Sequence, residues 1–194
     1  MKRLIPLVLL LAAAGPPPDP DWPCVQRLVP TLTASTLWGG HDAAGDWRTD
    51  PRLPAEASIL ARRALPAPAA ATELDRFIMT IPEAERPAVL PQLFQGLVDE
   101  TNTQRAEVIE RLRDRARHQR LLTETVSRIT GELRALPVDA LPATREEITV
   151  RRTLMIREYD EIERTIRYAC EVPVQMEAKL GTLAQVISRA FDAN

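Results

Sequence analysis

The residues of this sequence whose side chains suggest chemistry are few, and the densest group is an arginine-rich run between positions 111 and 120. We expect these side chains to form ion pairs with Asp160, Glu161 and Glu163 across a helical hairpin, as surface charges commonly do. The alternative is contact with an anion or an acidic partner, because guanidinium groups bind carboxylates and phosphates through paired, charge-assisted hydrogen bonds. The side chains concerned are Arg111, Arg113, Arg115, Arg117, His118 and Arg120.

A second group of polar residues, His41, Asp42 and Asp46, offers nitrogen and oxygen donors within a short stretch. It lacks the closely spaced Cys or His pairs of a zinc site and the alternating acidic order of a calcium loop. Neighbouring glycines explain the stretch as a turn. We therefore expect no metal and no cofactor, and a metal held by these three residues is the minor alternative.

Catalytic motifs are missing from the sequence. None of the four serines lies in Gly-x-Ser-x-Gly, and no glycine pattern matches a dinucleotide or phosphate loop. The helical carboxylates lack the Glu-x-x-His spacing of a di-iron bundle, and no Cys-His haem attachment motif occurs. These observations predict a protein that is not an enzyme.

The beginning of the chain predicts export. Residues 1–14 combine a basic start, a hydrophobic run at 4–11, and small residues at Ala12 and Ala14, which are the parts of a cleaved secretory signal peptide. The run is too short to cross a bilayer core about 30 Å thick, so no stable membrane span is expected. Almost all of the 25 basic residues are arginines, a bias typical of GC-rich bacterial genomes. The predicted location is the bacterial periplasm.

Export in turn predicts what the two cysteines do. In an oxidising compartment Cys24 and Cys170 are most simply one disulfide, which would tie the N-terminal segment to the helical body. Closing a loop of this size stabilises by roughly 4–5 kcal/mol in the chain-entropy model. The alternative is two free thiols that serve as redox or metal ligands, although no Cys-x-x-Cys motif is present.

Composition and charge limit the functional classes. The chain has 194 residues, of which 45% are hydrophobic, enough for the core of one folded domain. Removal of residues 1–14 takes away two of 25 basic side chains and leaves 23 against 27 acidic ones, a net charge of −4. A general nucleic-acid binder needs excess Lys and Arg to displace counterions, so nucleic acid is an unexpected partner.

Residues 15–53 are rich in proline and glycine and hold all three tryptophans, Trp22, Trp38 and Trp47. No sustained period of hydrophobic residues runs through this segment, so we expect an irregular N-terminal wrap. Each indole can bury a large area with one N–H to satisfy, which predicts anchoring on the body. The alternative is that the three rings form the wall of a ligand site.

Residues 54–194 are predicted to be helical. Short helices are expected over 55–65 and from a capping Thr72, and another begins near 85–87 and can run into the next segment. The long helices are predicted over about 102–136 and 144–170, the second starting at a capping box of Thr144 and Glu147. A last helix follows from Pro173.

The two long helices are predicted to form an antiparallel hairpin. The connection 137–143 is too short for any other arrangement. Hydrophobic residues in the first helix are spaced four and three apart, the pattern of a coiled coil, at Leu122, Val126, Ile129, Leu133 and Leu136. The fold class is therefore all-α: a hairpin of about 50 and 40 Å packed on shorter helices.

The expected function follows from these features. An exported helical arm without catalytic motifs predicts a non-enzymatic interaction protein of the cell envelope: an adaptor, an assembly factor or an accessory subunit. Its partner would be another protein, or a second copy, bound through the hairpin. The alternative is a soluble periplasmic carrier of a small ligand, with its site between the bundle and the tryptophan-bearing wrap.

Overall fold

The computed structural model describes residues 19–39 and 45–192 of the chain, and within these ranges the protein is all-α with no strand. The predicted signal peptide, 1–14, lies outside the described residues. Single 3₁₀ turns lie at Trp47–Thr49 and Glu83–Glu85. The helices are α1 (Ala34–Leu37), α2 (Leu53–Ala61), α3 (Ala67–Thr80), α4 (Arg86–Ala135), α5 (Pro142–Ala169) and α6 (Glu171–Asp192).

Helix α4 is the axis of the molecule. Its 50 residues extend for about 75 Å, and Pro87 lies in its first turn, where no intrahelical N–H is needed. The predicted third helix and the first helix of the hairpin are thus one element. Helix α5 packs antiparallel to the second half of α4.

Two cross-helix contacts, one of them an ion pair, indicate the register of the hairpin. Glu132 binds Arg151, and His118 Nε2 lies 3.3 Å from Glu158 Oε1. Both pairs fall within about one helical turn of the register that the short connection predicts. The antiparallel hairpin on shorter helices is confirmed.

The main hydrophobic core forms what we call the base: α1, α2, α3, α6 and the part of α4 up to Thr101. Helices α2 and α6 pack on this part of α4, and α3 packs on α6. The largest completely buried side chains of this core are Phe94, Leu53, Leu60, Leu74, Leu90, Leu93, Leu97 and Leu183. Hydrophobic residues on every side of the first part of α4 are what allow neighbouring helices to surround it.

The described parts of the N-terminal wrap, 19–39 and 45–53, are attached to the helical body at defined points. The Leu32 N–H donates to Asn102 Oδ1, and Asn102 Nδ2 donates to the Leu32 carbonyl, both at 2.9 Å. Trp47 lies against Gly96 of α4, where an added Cβ would be 3.0 Å from two indole carbons. The glycine therefore permits the close approach of this ring.

The predicted disulfide is confirmed. Cys24 and Cys170 are bonded, with Cα atoms 5.6 Å apart and a separation of 146 positions in sequence. Cys170 is the residue between α5 and α6, so the bridge joins the wrap to the corner where the hairpin meets the base. A smaller core surrounds it, with Trp22, Val108, Leu112, Ile162 and Ile166.

Three predicted helix ends are wrong. Helix α2 stops at Ala61 rather than 65, and beyond it the carbonyls of Arg62 and Leu65 accept hydrogen bonds from Lys179 of α6. Thr72 is not a cap: α3 begins earlier, and the Thr72 hydroxyl donates to the Pro68 carbonyl.

The third wrong end is the capping box at Thr144. Helix α5 starts two residues earlier, with Pro142 at its first turn and Leu141 at the N-cap. The Thr144 N–H donates to the Leu141 carbonyl, and no side chain caps the helix. The fixed φ of proline is already helical, so Pro142 begins the helix without help from a hydroxyl.

Candidate functional site

The outer part of the hairpin, residues 130–161, has no buried residue, and we call it the distal arm. Its helices are held together by partly buried side chains and by ion pairs such as Glu132 with Arg151. It also exposes large hydrophobic side chains, which no element of the described chain covers: Val138, Leu141, Val150, Leu154 and Ile156.

The tip of the distal arm exposes two large hydrophobic side chains. Val138 is 102% exposed and Leu141 is 71% exposed. The connection is a tight turn in which the Ala140 N–H donates to the Pro137 carbonyl. The turn therefore holds both side chains outward at the end of two helices, where a partner can reach them.

The arginine-rich run has partners that the sequence did not predict. Arg113 Nη2 lies 2.8 Å from Asp19 Oδ2, and Arg117 Nη1 lies 2.9 Å from Asp21 Oδ2. Arg120 binds both Asp21 and the Pro20 carbonyl. These contacts join α4 to the start of the wrap, and we call them the arginine clamp.

The clamp changes the titration of its two carboxylates. A hydrogen bond from the Asp21 backbone N–H is the main cause that lowers the pKa of Asp19, and a hydrogen bond from the Arg113 side chain is the second cause. Hydrogen bonds from Arg117, and then from Arg120, lower the pKa of Asp21. Both carboxylates therefore remain charged, and attached to α4, in mildly acidic solution.

The predicted pairing of the run with Asp160, Glu161 and Glu163 is wrong. Glu161 binds Arg164 and Glu163 binds Arg167, each on its own helix. The reason is that the disulfide brings the acidic start of the wrap onto α4, where it meets the arginines at shorter range.

The remaining members of the run do not join the clamp. Arg111 has only a weak contact with Glu107 at 3.8 Å, and His118 faces Glu158. Arg115 has no ion pair among the described residues. Arg111 and Arg115 both line a cavity between α4 and α5.

The three tryptophans lie in separate environments rather than along one wall. Trp22 Nε1 donates to the Gln26 carbonyl beside the disulfide. Trp38 packs edge-on against Phe94 and Phe191, and its Nε1 donates to Ser188. Trp47 Nε1 donates to Asp99. Each indole anchors a different part of the wrap, and Trp38 and Trp47 are buried in the base.

Two cavities lie between the wrap and the bundle. One of about 420 Å³ lies between Trp38 and α6, and one of about 80 Å³ is lined by Trp22, Gln26 and Arg105 among others. Arg105 is only 3% exposed, and its Nε and Nη1 have no hydrogen-bond partner among the described residues. Burial lowers the pKa of Arg105, opposed by the charge of Glu177. Ligand sites usually measure about 300–1,000 Å³, so the cavity beside Arg105 suits only very small molecules.

The predicted turn at 41–46 falls mostly outside the described residues, which exclude His41 and Asp42. Asp46 is described, and its carboxylate accepts a hydrogen bond from the Arg48 N–H at the start of a 3₁₀ turn. No group of three potential metal ligands occurs within 19–39 and 45–192. Among the described helices, none is both long and apolar enough to span a bilayer.

A larger groove lies at a place where the sequence predicts no site. One cavity of about 490 Å³ lies between the α2–α3 connection and α6, and a second of about 240 Å³ lies between α4 and α5. Both are lined by Arg63 and Val172, so the two adjoin. No local pattern predicts this groove, because its walls come from five helices, α2 to α6, that only the tertiary packing brings together.

The chain was also compared with known proteins. No family model matches it, and no similar curated protein or solved structure was found. The features that bear on function are therefore its own: the distal arm with its apolar tip, the arginine clamp, and the groove.

Proposed function

We propose that this protein is an exported, non-enzymatic interaction protein of the bacterial cell envelope, which binds a protein partner or a second copy through its distal arm. The base and the clamp hold the arm, and the arm presents the binding surface. The roles that suit this form are those of an adaptor, an assembly factor or an accessory subunit.

The observation that carries the proposal is the apolar tip. Val138 and Leu141 are held outward by the turn at the end of the hairpin. Exposed hydrophobic groups at a projecting end lower the free energy of the system when a partner covers them. Val150 and Leu154 continue this surface along the outer face of α5.

The disulfide supports the periplasmic location, through a cleaved signal peptide at 1–14. A bridge between Cys24 and Cys170 persists in an oxidising compartment and is reduced in most cytosols. Mass spectrometry of the periplasmic protein should find a chain that begins at Gly15. The intact leader on protein from the cytosolic fraction would contradict this part of the proposal.

The interaction is tested by photocrosslinking in the producing bacterium. A photoreactive amino acid at Val138 or Leu141 should give an adduct of one discrete mass. The same amino acid at Arg76, on the exposed side of α3, is the matched control and should give none. An adduct of twice the chain mass identifies a second copy, and any other discrete mass identifies a different protein.

A second variant separates binding from folding. Val138→Asp with Leu141→Asp changes only exposed side chains, so the free energy of unfolding should move by less than about 0.5 kcal/mol for each. The same change should abolish adducts formed from a probe at Leu154. Unchanged adducts, or no adduct from any position on the arm, would overturn the proposal.

A further inference from the structure

One wall of the groove is the connection between α2 and α3, which hydrogen bonds from α6 hold in place. Lys179 Nζ donates to the carbonyls of Arg62 and Leu65, both at 2.8 Å. These bonds hold the α2–α3 connection against α6, and the space beside it forms the larger cavity. Its floor includes Leu180 and Leu183, which are buried side chains of the main core. The larger cavity is therefore a rigid apolar trough.

The smaller cavity is apolar at its floor and cationic at its edge. Val108, Leu112 and Ile166 line it together with Arg111 and Arg115. Arg63 lies where the two cavities adjoin. The groove as a whole therefore has Arg111 and Arg115 toward one end, Arg63 at the junction, and a hydrophobic trough toward the other end.

The charge of these walls is opposite to that of the chain. Arg63, Arg111, Arg115 and Lys179 line the two cavities, and no Asp or Glu does. The whole chain nevertheless carries 27 acidic against 25 basic residues. A surface with cations and without carboxylates attracts an anion.

Two of the arginines are available to such an anion. Arg63 and Arg115 have no ion pair among the described residues, and Arg111 has only the contact of 3.8 Å with Glu107. The arginines of the clamp, by contrast, are already occupied by Asp19 and Asp21.

We propose that the groove binds a single-chain fatty acid, with its carboxylate at Arg63 and Arg115 and its hydrocarbon chain in the trough beside α6. The larger cavity, of about 490 Å³, is of the size that small-molecule sites have, roughly 300–1,000 Å³, and the adjoining cavity adds about 240 Å³. Apolar walls with a few convergent charges are what such a ligand requires. This site is independent of the distal arm and adds a second activity to the protein.

The test is displacement of dansyl-undecanoate from the full-length mature protein. Dodecanoate should displace the probe, whereas dodecanol, which lacks the charge, should do so at least tenfold less well. Arg63→Gln with Arg115→Gln should weaken dodecanoate binding about tenfold, because two exposed cations no longer attract the carboxylate. Arg134→Gln with Arg157→Gln changes two exposed arginines of the hairpin outside the groove and should have no effect.

A pair of variants tests the trough itself. Ala178 is exposed and lines the larger cavity. Ala178→Glu and Ala178→Gln add side chains of nearly equal size, and only the first adds a negative charge, so only the first should weaken dodecanoate strongly. Both are good helix formers, so thermal unfolding should change little.

Several results would overturn the fatty-acid site. These are equal binding of dodecanol and dodecanoate, binding only above the micelle concentration, or binding that none of the groove variants changes. If a photoreactive amino acid placed in the groove formed adducts with a protein, and dodecanoate did not displace the dansyl probe, the groove would be a protein-binding surface instead. The Val138→Asp and Leu141→Asp variant should bind dodecanoate normally, so failure of the arm proposal and failure of this one are distinguishable.

Discussion

The base and the distal arm share one helix, α4, but are stabilised differently. In the base, neighbouring helices surround α4, and side chains such as Phe94 and Leu97 are completely buried. In the distal arm only α5 packs on α4, and no residue from 130 to 161 is buried. A residue of the same type therefore has a different energetic role at each end of one helix.

The difference separates stability from binding. Burial of large apolar side chains is the main source of folding free energy, so the base carries most of the stability. The arm has exposed hydrophobic residues, including Leu141 and Leu154, whose side chains contribute little to its folding. Surface that folding does not use is available to a partner.

The largest expected effect comes from truncating the base. Phe94 is 0% exposed, so Phe94→Ala should lower the free energy of unfolding by about 3–5 kcal/mol through lost burial and a cavity. Leu154, at 51% exposed, is the control in the arm, and Leu154→Ala should cost less than about 0.5 kcal/mol. Urea unfolding measures both, and equal losses would contradict the division into base and arm.

The next effect is that of the disulfide, which lies where the two regions meet. Cys24→Ser with Cys170→Ser opens a loop of 146 positions, for which the chain-entropy model gives about 5 kcal/mol. Reduction of the native protein should lower the urea midpoint equally. If the double variant unfolded at the native midpoint, the bridge would not be what holds the wrap in place.

A smaller effect compares two glycines of α4. A Cβ at Gly96 would lie 3.0 Å from Trp47, so Gly96→Ala should destabilise by about 1–3 kcal/mol through overpacking. A Cβ at Gly131 would meet nothing within 4 Å, so Gly131→Ala should stabilise by about 0.5–1 kcal/mol through helix propensity. The melting temperature should fall for Gly96→Ala and rise for Gly131→Ala. A rise for both variants would show that the base tolerates the added methyl group.

The smallest effect is the acid sensitivity of the clamp. The folded pKa values of Asp19 and Asp21 are lowered, so their contribution is present above the unfolded value, about 3.9, and is lost as pH falls through the folded values. The variant Asp19→Asn with Asp21→Asn should lose less unfolding free energy than the native protein as pH falls through this range. Below it, the free energies of unfolding of the two proteins should converge. Asp160→Asn is the control, because Asp160 has no ion pair in the described chain. Parallel curves for all three proteins would contradict a stabilising clamp.

Elements that depend on the spacing of nearby residues, or on a single possible residue pair, could be predicted from the sequence. Spaced hydrophobic residues, such as Leu122 and Ile129, together with a short connection, predict the hairpin. Two cysteines allow only one intramolecular pairing, so an oxidising location was enough to predict the bridge between Cys24 and Cys170.

The contacts of the candidate sites were not predictable in the same way. The arginines were expected to face the acids of α5, since a hairpin model contains no other partner for them. The position of Asp19 and Asp21 depends on where the wrap lies, and no period in residues 15–53 indicates that.

The amino-acid sequence by itself determined the helices, their antiparallel pairing and the identity of the bridge, because these depend on neighbouring residues or on a single possible pair. Only the tertiary structure decided which arginines are occupied, that Lys179 binds the connection between α2 and α3, and that a groove lined by cations lies between the hairpin and the base. The physical reason is that such sites form where distant segments meet, and the packing of whole helices sets those distances.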